Sequence, residues 1–237
     1  MTSSGSARKT AFRVARWVAV ALLAVLLLPY LLTPLYRVID PVSTLMLARW
    51  AVGKRVERTF VPIERIAPVL PRSVIASEDG RFCSHRGIDW TELQAALDDA
   101  DDITEARGGS TITQQTAKNL FLWPGRSFIR KGLEFPLALW IDLVVPKRRI
   151  MEIYLNIAEW GPNGEFGVEA GSRNAFNKPA SQLSGGEAAL LTAMLPNPKR
   201  RSAKQPLPAV RRIAGMVQAR AARSGGIDAC LGPRKGV

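Results

Sequence analysis

Between Trp17 and Tyr36 the chain reads WVAVALLAVLLLPYLLTPLY, twenty residues with no charge and a single Thr. Wound as a helix at about 1.5 Å per residue, this run covers about 30 Å, the thickness of a bilayer's hydrocarbon core. Arg8, Lys9, Arg13 and Arg16 stand before it, and such a basic flank keeps its side of a span in the cytoplasm. Trp17, Tyr30 and Tyr36 suit the two interfaces, and Pro29 and Pro34 would kink the outer end without removing the span. A cleaved leader is the main competing reading. The small-residue cleavage pattern it needs is missing from Thr33-Pro34-Leu35-Tyr36-Arg37-Val38. The expected order is therefore a basic cytoplasmic N-terminus over 1–16, a transmembrane helix over 17–36, a juxtamembrane segment over 37–60, a folded domain over 61–223 and a tail over 224–237.

The 237 residues suffice for one domain of ordinary size plus this appendage. A formal charge of +13 calls for anionic partners: nucleic acid, an anionic lipid surface or a phosphate-bearing substrate. Nucleic acid is the weakest of these, because no aromatic platform or zinc-finger spacing is present and the domain would lie outside the membrane. One His (His85) and two Cys (Cys83, Cys230) cannot build a four-ligand zinc site from His and Cys alone. The two Cys could pair in an oxidising compartment or stay separate thiols in a reducing one.

Beyond residue 37 the pattern is mostly α. Leu45-Met46-Leu47 and Trp50 interleave with Arg49, Lys54, Arg55 and Arg58, which suits either an interfacial segment on lipid or a plain linker. Pro71 can open a helix leading into Glu78-Asp79. Asp89-Trp90 can open a second, Thr111 or Thr113 a third and Ser127 a fourth. Asp99 to Gly109 reads as a loop. Ile150, Ile153, Tyr154 and Ile157 share one helical face. Ser184 and Glu187 form a capping box. A last basic helix spans about Ala209 to Ala222. Strand signals are few and short.

Three polar clusters interrupt these helices. In Ser77 to Gly87, Glu78 and Asp79 close an apolar helix, where partial desolvation raises a carboxylate's basicity as a general base requires. A solvated acidic pair is the plainer alternative. In Gly108 to Asn119, seven of twelve side chains are neutral hydrogen-bonding groups and one is the cation Lys118. Amides and hydroxyls behind a Gly pair suit sugars and phosphate oxygens, although an ordinary polar cap would look similar. In the third, Arg126, Arg130 and Glu134 stand four apart and share a helical side if the helix begins early enough, as a surface ion-pair ladder also would.

Taken together, in this order, the clusters resemble the glycosyltransferase module of peptidoglycan synthases in its monofunctional form. The resemblance covers roughly Pro68 to Pro198. Glu78, Asp79, Phe82, His85 and Gly87 match its first motif. Gly108, Ser110 to Gln115 and Lys118-Asn119 match its second. Arg130, Lys131 and Glu134 match its third, and Lys147, Ile150, Glu152, Tyr154, Leu155 and Asn156 its fourth. The resemblance implies a mostly α, lysozyme-like domain behind one transmembrane helix, working on lipid II and the growing glycan chain at the inner membrane, with cell-wall synthesis proteins as further partners. It implies inverting transfer to the 4-hydroxyl of N-acetylglucosamine, with Glu78 as base and Glu134 as the second carboxylate. Lys118 and Arg126 would hold the diphosphate, helped by Arg81 and Arg130. Gly108, Ser110, Gln114 and Gln115 would line the substrate site. No tightly bound cofactor is implied; Mg²⁺ or Mn²⁺ could bridge the diphosphate. His85 would hold the first loop, and Glu152, Tyr154 and Asn156 would be scaffold. A membrane-bound muramidase or lytic transglycosylase, and a non-catalytic cell-wall scaffold, are the alternatives. Two features depart from the motifs. Pro136 should kink or end its helix near Gly132, and Cys83, not demanded by the first motif, invites a disulfide to Cys230 in an extracytoplasmic domain.

Overall fold

The computed structural model describes residues 3–99, 109–125 and 127–232, with side chains from Thr10 onward. Most of the expected loop between Asp99 and Gly109 lies outside the described residues. The apolar run belongs to helix α1 (Ser3–Leu32), which starts earlier than expected and passes through Pro29. It gives way to a 3-10 turn, Thr33–Arg37, with Pro34 in its first turn. Thr10 to Arg37 is long and apolar enough to cross a membrane, and almost none of it is buried against the rest of the chain. A proline has no N–H to offer the carbonyl four residues back. For Pro34 that carbonyl belongs to Tyr30, and it accepts a hydrogen bond from Trp140 Nε1 at 3.1 Å. Arg149 takes the carbonyls of Tyr36 and Ile39 at 2.9 and 2.8 Å. The outer end of the apolar helix is thereby fastened to the domain through its own unpaired backbone groups.

Helix α2 (Thr44–Ala51) is capped by Ser43 and drives Met46 into the core, leaving Leu47 and Trp50 exposed. Helix α3 (Val69–Glu78) begins two residues before Pro71. Helices α4 (Trp90–Asp98), α5 (Ile112–Phe121) and α6 (Phe128–Val144) follow, capped by Asp89, Thr111 and Ser127. Helix α7 (Lys147–Ile157) buries every residue from Ile150 to Ile157, not one face alone. It is the central rod. Its Asn156 accepts from Val61 N–H and donates to Val61 O, both at 2.8 Å, and Glu152 accepts from Ile63 N–H at 2.7 Å. Strands β1 (Glu57–Arg58) and β2 (Glu165–Phe166) pair in parallel over two residues. Helices α8 (Val168–Phe176), α9 (Gly185–Met194) and α10 (Pro208–Arg223) complete the domain, with α9 and α10 packed on α3.

One expectation is corrected here. Pro136 does not end its helix, and α6 runs on from Phe128 to Val144. The carbonyl left without its donor is that of Gly132, a residue whose backbone adjusts readily. Beyond the proline, Leu137, Ala138 and Ile141 stay buried in the core, which outweighs one lost ladder bond.

The loop after α3 is built around Asp79. This buried carboxylate meets His85 Nε2 at 3.0 Å and accepts from Ile112 N–H, at the start of α5, at 2.9 Å. Gly87 lies at φ +80°, where an added Cβ would stand 2.5 Å from the carbonyl oxygen of Ala138, so a side chain does not fit. A disulfide joins Cys83 to Cys230 across a separation of 147 residues, and Arg148 Nε holds the tail through Leu231 O at 3.1 Å. Asp79→Ala orphans two buried donors and should cost at least about 2 kcal/mol, read as a lower denaturant midpoint; an unchanged midpoint contradicts this account. Cys230→Ser should cost about 2–5 kcal/mol, seen as a drop in Tm that reductant reproduces in the parent chain and that is absent from the variant.

Candidate active site

Glu78 is the last residue of α3, where the helix stops and Asp79 turns inward. Its Oε1 accepts from Ser77 Oγ at 3.3 Å and its Oε2 from Gln115 Nε2 at 3.1 Å. Gln115 is held in turn, because its amide oxygen accepts from the buried Tyr154 hydroxyl at 3.0 Å. Burial raises the Glu78 carboxyl above the usual carboxylate range, and the bonds from Gln115 and Ser77 with the charges of Lys118 and Arg201 pull it only part of the way back. Burial and the nearby carboxylates of Glu78 and Asp79 keep Tyr154 a neutral phenol. Its hydroxyl is thus a fixed donor.

Lys118 lies one turn beyond Gln115 on α5. Burial lowers its proton affinity, as does Arg130, while Glu78 opposes them. Arg130 and Glu134 form an ion pair one turn apart on α6. Lys131 Nζ reaches Ser110 Oγ at 2.8 Å and Glu134 Oε2 at 3.1 Å. Burial, with the charges of Arg130 and Lys118, brings Lys131 down to about 8. Two cations thus share the buried carboxylate of Glu134, and Lys118 feels the charge of Arg130 on one side and of Glu78 on the other.

A cleft of about 260 Å³ opens along Glu78, lined by Arg81, Asp89, Glu92, Ser110 and Arg220 among others. A larger hollow of about 430 Å³ lies between Lys147, Arg148, Arg149 and Cys230. Its cations are already paired, Lys147 with Asp142, Arg148 with Glu64, and Arg149 with Asp40 and Glu152. Among the described residues its one lining carboxylate, Glu152, is paired with Arg149, whereas Glu78 on the smaller cleft has no ion-pair partner.

Hydrogen bonds and charge link the candidate residues: Glu78 to Gln115 and Lys118, and Lys131 to Ser110 and to Glu134, which also pairs with Arg130; Glu78 and Ser110 stand on the cleft wall. Gln114 is set apart. Gln114 is fully buried, its amide oxygen accepting from Thr111 N–H at 2.9 Å as half of a capping box, so it supports the helix start and does not line the cleft. Arg81 stands half exposed on the cleft wall with Glu78 and Ser110, 3.4 Å from Asp89. Gly108 and Arg126 lie outside the described residues; α6 begins only at Phe128, so residue 126 precedes the helix that carries Arg130 and Glu134. Lys131, Arg201 and Arg220 went unselected as site residues. Lys131 had a signal, its place between Arg130 and Glu134. Arg201 and Arg220 arrive from distant segments with no local one.

Among known proteins, the family model described as Transglycosylase matches residues 45–222. The chain is 65% identical to a protein of Nitrobacter hamburgensis over 85% of its length and 90% of that relative. It is 64% identical to one of Rhodopseudomonas palustris, over 88% of the chain and 89% of the relative, and 51% identical to one of Agrobacterium fabrum, over 92% and 97%. Each is named as a biosynthetic peptidoglycan transglycosylase. By the span of that match and the closeness of these relatives, the chain belongs to the transglycosylase family.

Proposed function

We propose that this protein polymerises lipid II into peptidoglycan glycan strands by inverting transfer to the 4-hydroxyl of N-acetylglucosamine, releasing polyprenyl diphosphate. The reading is supported above all by Glu78, a half-buried carboxylate of raised basicity, oriented by Gln115 and set beside Lys118. Inverting attack needs a base for the hydroxyl proton and fixed cations where negative charge gathers on the leaving diphosphate. Glu78 takes the proton. Lys118, Arg130 and Lys131 face the diphosphate, with Arg126 as a further contact. Glu134 orients Arg130 and Lys131, and Ser110 and Gln115 orient polar groups of the substrate.

Both oxygens of Glu134 already face cations, and the described residues hold no group of three or more His, Cys, Asp or Glu that could bind a metal. The residues therefore do not fit a protein-held Mg²⁺ or Mn²⁺, and no step is routed through one. The apolar helix would anchor the protein in the inner membrane with the domain on the outer face, beside a substrate whose polyprenyl tail stays in lipid. Cell-wall synthesis proteins would be its partners there. A muramidase would need the carboxylate but not this cation cluster.

Glu78→Gln should lower polymerisation of purified lipid II by roughly 10²–10⁴-fold with the fold intact by circular dichroism; a nearly full rate rejects Glu78 as base. Wild-type protein should lengthen lipid II and leave finished peptidoglycan uncut, and cleavage would favour the muramidase. The rate should also be bell-shaped in pH. It falls as pH drops through the raised Glu78 value, because the base must be unprotonated, and falls again as pH rises through about 8, where Lys131 loses its charge. Lys131→Arg keeps the charge and should move the alkaline limb upward. A limb that stays in place removes Lys131 from the reading.

A further inference from the structure

From Ala188 to Ile227 the chain carries eight Lys and Arg and no Asp or Glu. These forty residues form most of α9, the turn after it and the whole of α10. None of the eight cations makes an ion pair among the described residues. The contrast with the α6–α7 region is sharp, since there Arg130, Lys131, Lys147, Arg148 and Arg149 each have a carboxylate. Arg211, Arg212, Arg220 and Arg223 are exposed along α10, and Lys204 precedes them. An unneutralised run of like charge costs self-repulsion in the folded state, and a partner of opposite charge relieves it.

The face is continuous with the catalytic cleft. Arg220 lines the cleft and donates from Nη1 to the carbonyl of Ala76, two residues before Glu78, at 3.2 Å. Arg201 Nη1 is anchored on Ala193 O at 2.7 Å, close enough for its charge to act on Glu78. The anchor's outer end packs elsewhere, on α6, while α10 packs on α3 and α9. Lipid is therefore the less suited occupant. What leaves a cleft that joins disaccharides is a strand, and a peptidoglycan strand carries, on alternate sugars, short peptides with free carboxylates.

We propose that the α9–α10 face is a binding track for the nascent glycan strand, engaging the carboxylates of its stem peptides through Arg211, Arg212, Arg220 and Arg223. This rests on the reading of the chain as a peptidoglycan polymerase. The track adds an electrostatic hold on the product that the sugars alone do not supply, and keeps the strand end near Glu78 between additions. It needs no new covalent step.

The test uses the full-length protein in detergent and uncrosslinked, fluorescently labelled strands, with their stem peptides or stripped of them by an amidase. Stem-bearing strands should bind tighter than stripped ones, with an affinity that falls as salt rises. The variant Arg211→Gln/Arg212→Gln/Arg223→Gln should lose about tenfold in affinity for stem-bearing strands and clearly less for stripped ones, which keep only the single lactyl carboxylate that amide hydrolysis leaves on each alternate sugar. Equal binding of the two strand types, or a variant that binds like the parent, overturns the proposal. So does a variant that loses affinity only for phosphatidylglycerol vesicles, which would make the face a lipid surface. A wild-type chain that fails to extend lipid II would sink the polymerase reading itself, an outcome separate from any of these affinities.

Discussion

The placement of Glu78, the proposed base, depends on its neighbour. Asp79 turns into the protein at the end of α3, where His85 and the first amide of α5 hold both of its oxygens. That one buried group stops the helix, closes the following loop and fixes the start of the helix that brings Gln115 and Lys118. Glu78, one residue earlier, is left pointing the other way into the cleft. Two adjacent carboxylates thus divide into one that holds the fold together and one left at the cleft. The division follows from their hydrogen-bond partners, since both sit at the same helix end.

Around Glu78 the electrostatics are arranged so that no charge is fully answered. Glu134 meets Arg130 and Lys131, and Lys118 has only the field of Glu78 against its burial. The surplus positive charge is held by elements packed on α7, so its position does not depend on a ligand. Preorganised charge of this kind is worth more in a partly dry cleft than in water, because little reorganisation accompanies the build-up of negative charge opposite it. The same surplus lowers the proton affinity of Lys131, which ties the strength of the cluster to pH.

Much of this was legible in the sequence where the physics is local. Asp89, Thr111, Ser127 and Ser184 cap the helices their spacing announces, because a cap depends on three or four residues of chain. The pairing of Cys83 with Cys230, suggested by compartment alone, is present. The sequence did not separate Gln114 from Gln115: successive residues on a helix differ by about 100° in direction, and only the packing of α5 says which one reaches Glu78. Pro136 does not end its helix, because the buried residues beyond it outweigh the one local hydrogen bond that the proline removes. Arg201 and Arg220 lay out of reach of any motif, since their approach to Glu78 exists only after α9 and α10 have packed on α3.

The indole of Trp140 on the Tyr30 carbonyl, with the Arg149 contacts beside it, has a consequence for how such an enzyme finds its substrate. A stem joined to the domain through backbone atoms allows little swing, so with the apolar helix in a bilayer the groove keeps one height and one tilt above the lipid. For the lipid-linked substrate proposed above, encounter would then be a search in two dimensions: carrier molecules would drift in the same plane and arrive already at the level of the mouth. On that reading, reach into the wall above would be given up in exchange, and the polymer, not the protein, would travel outward.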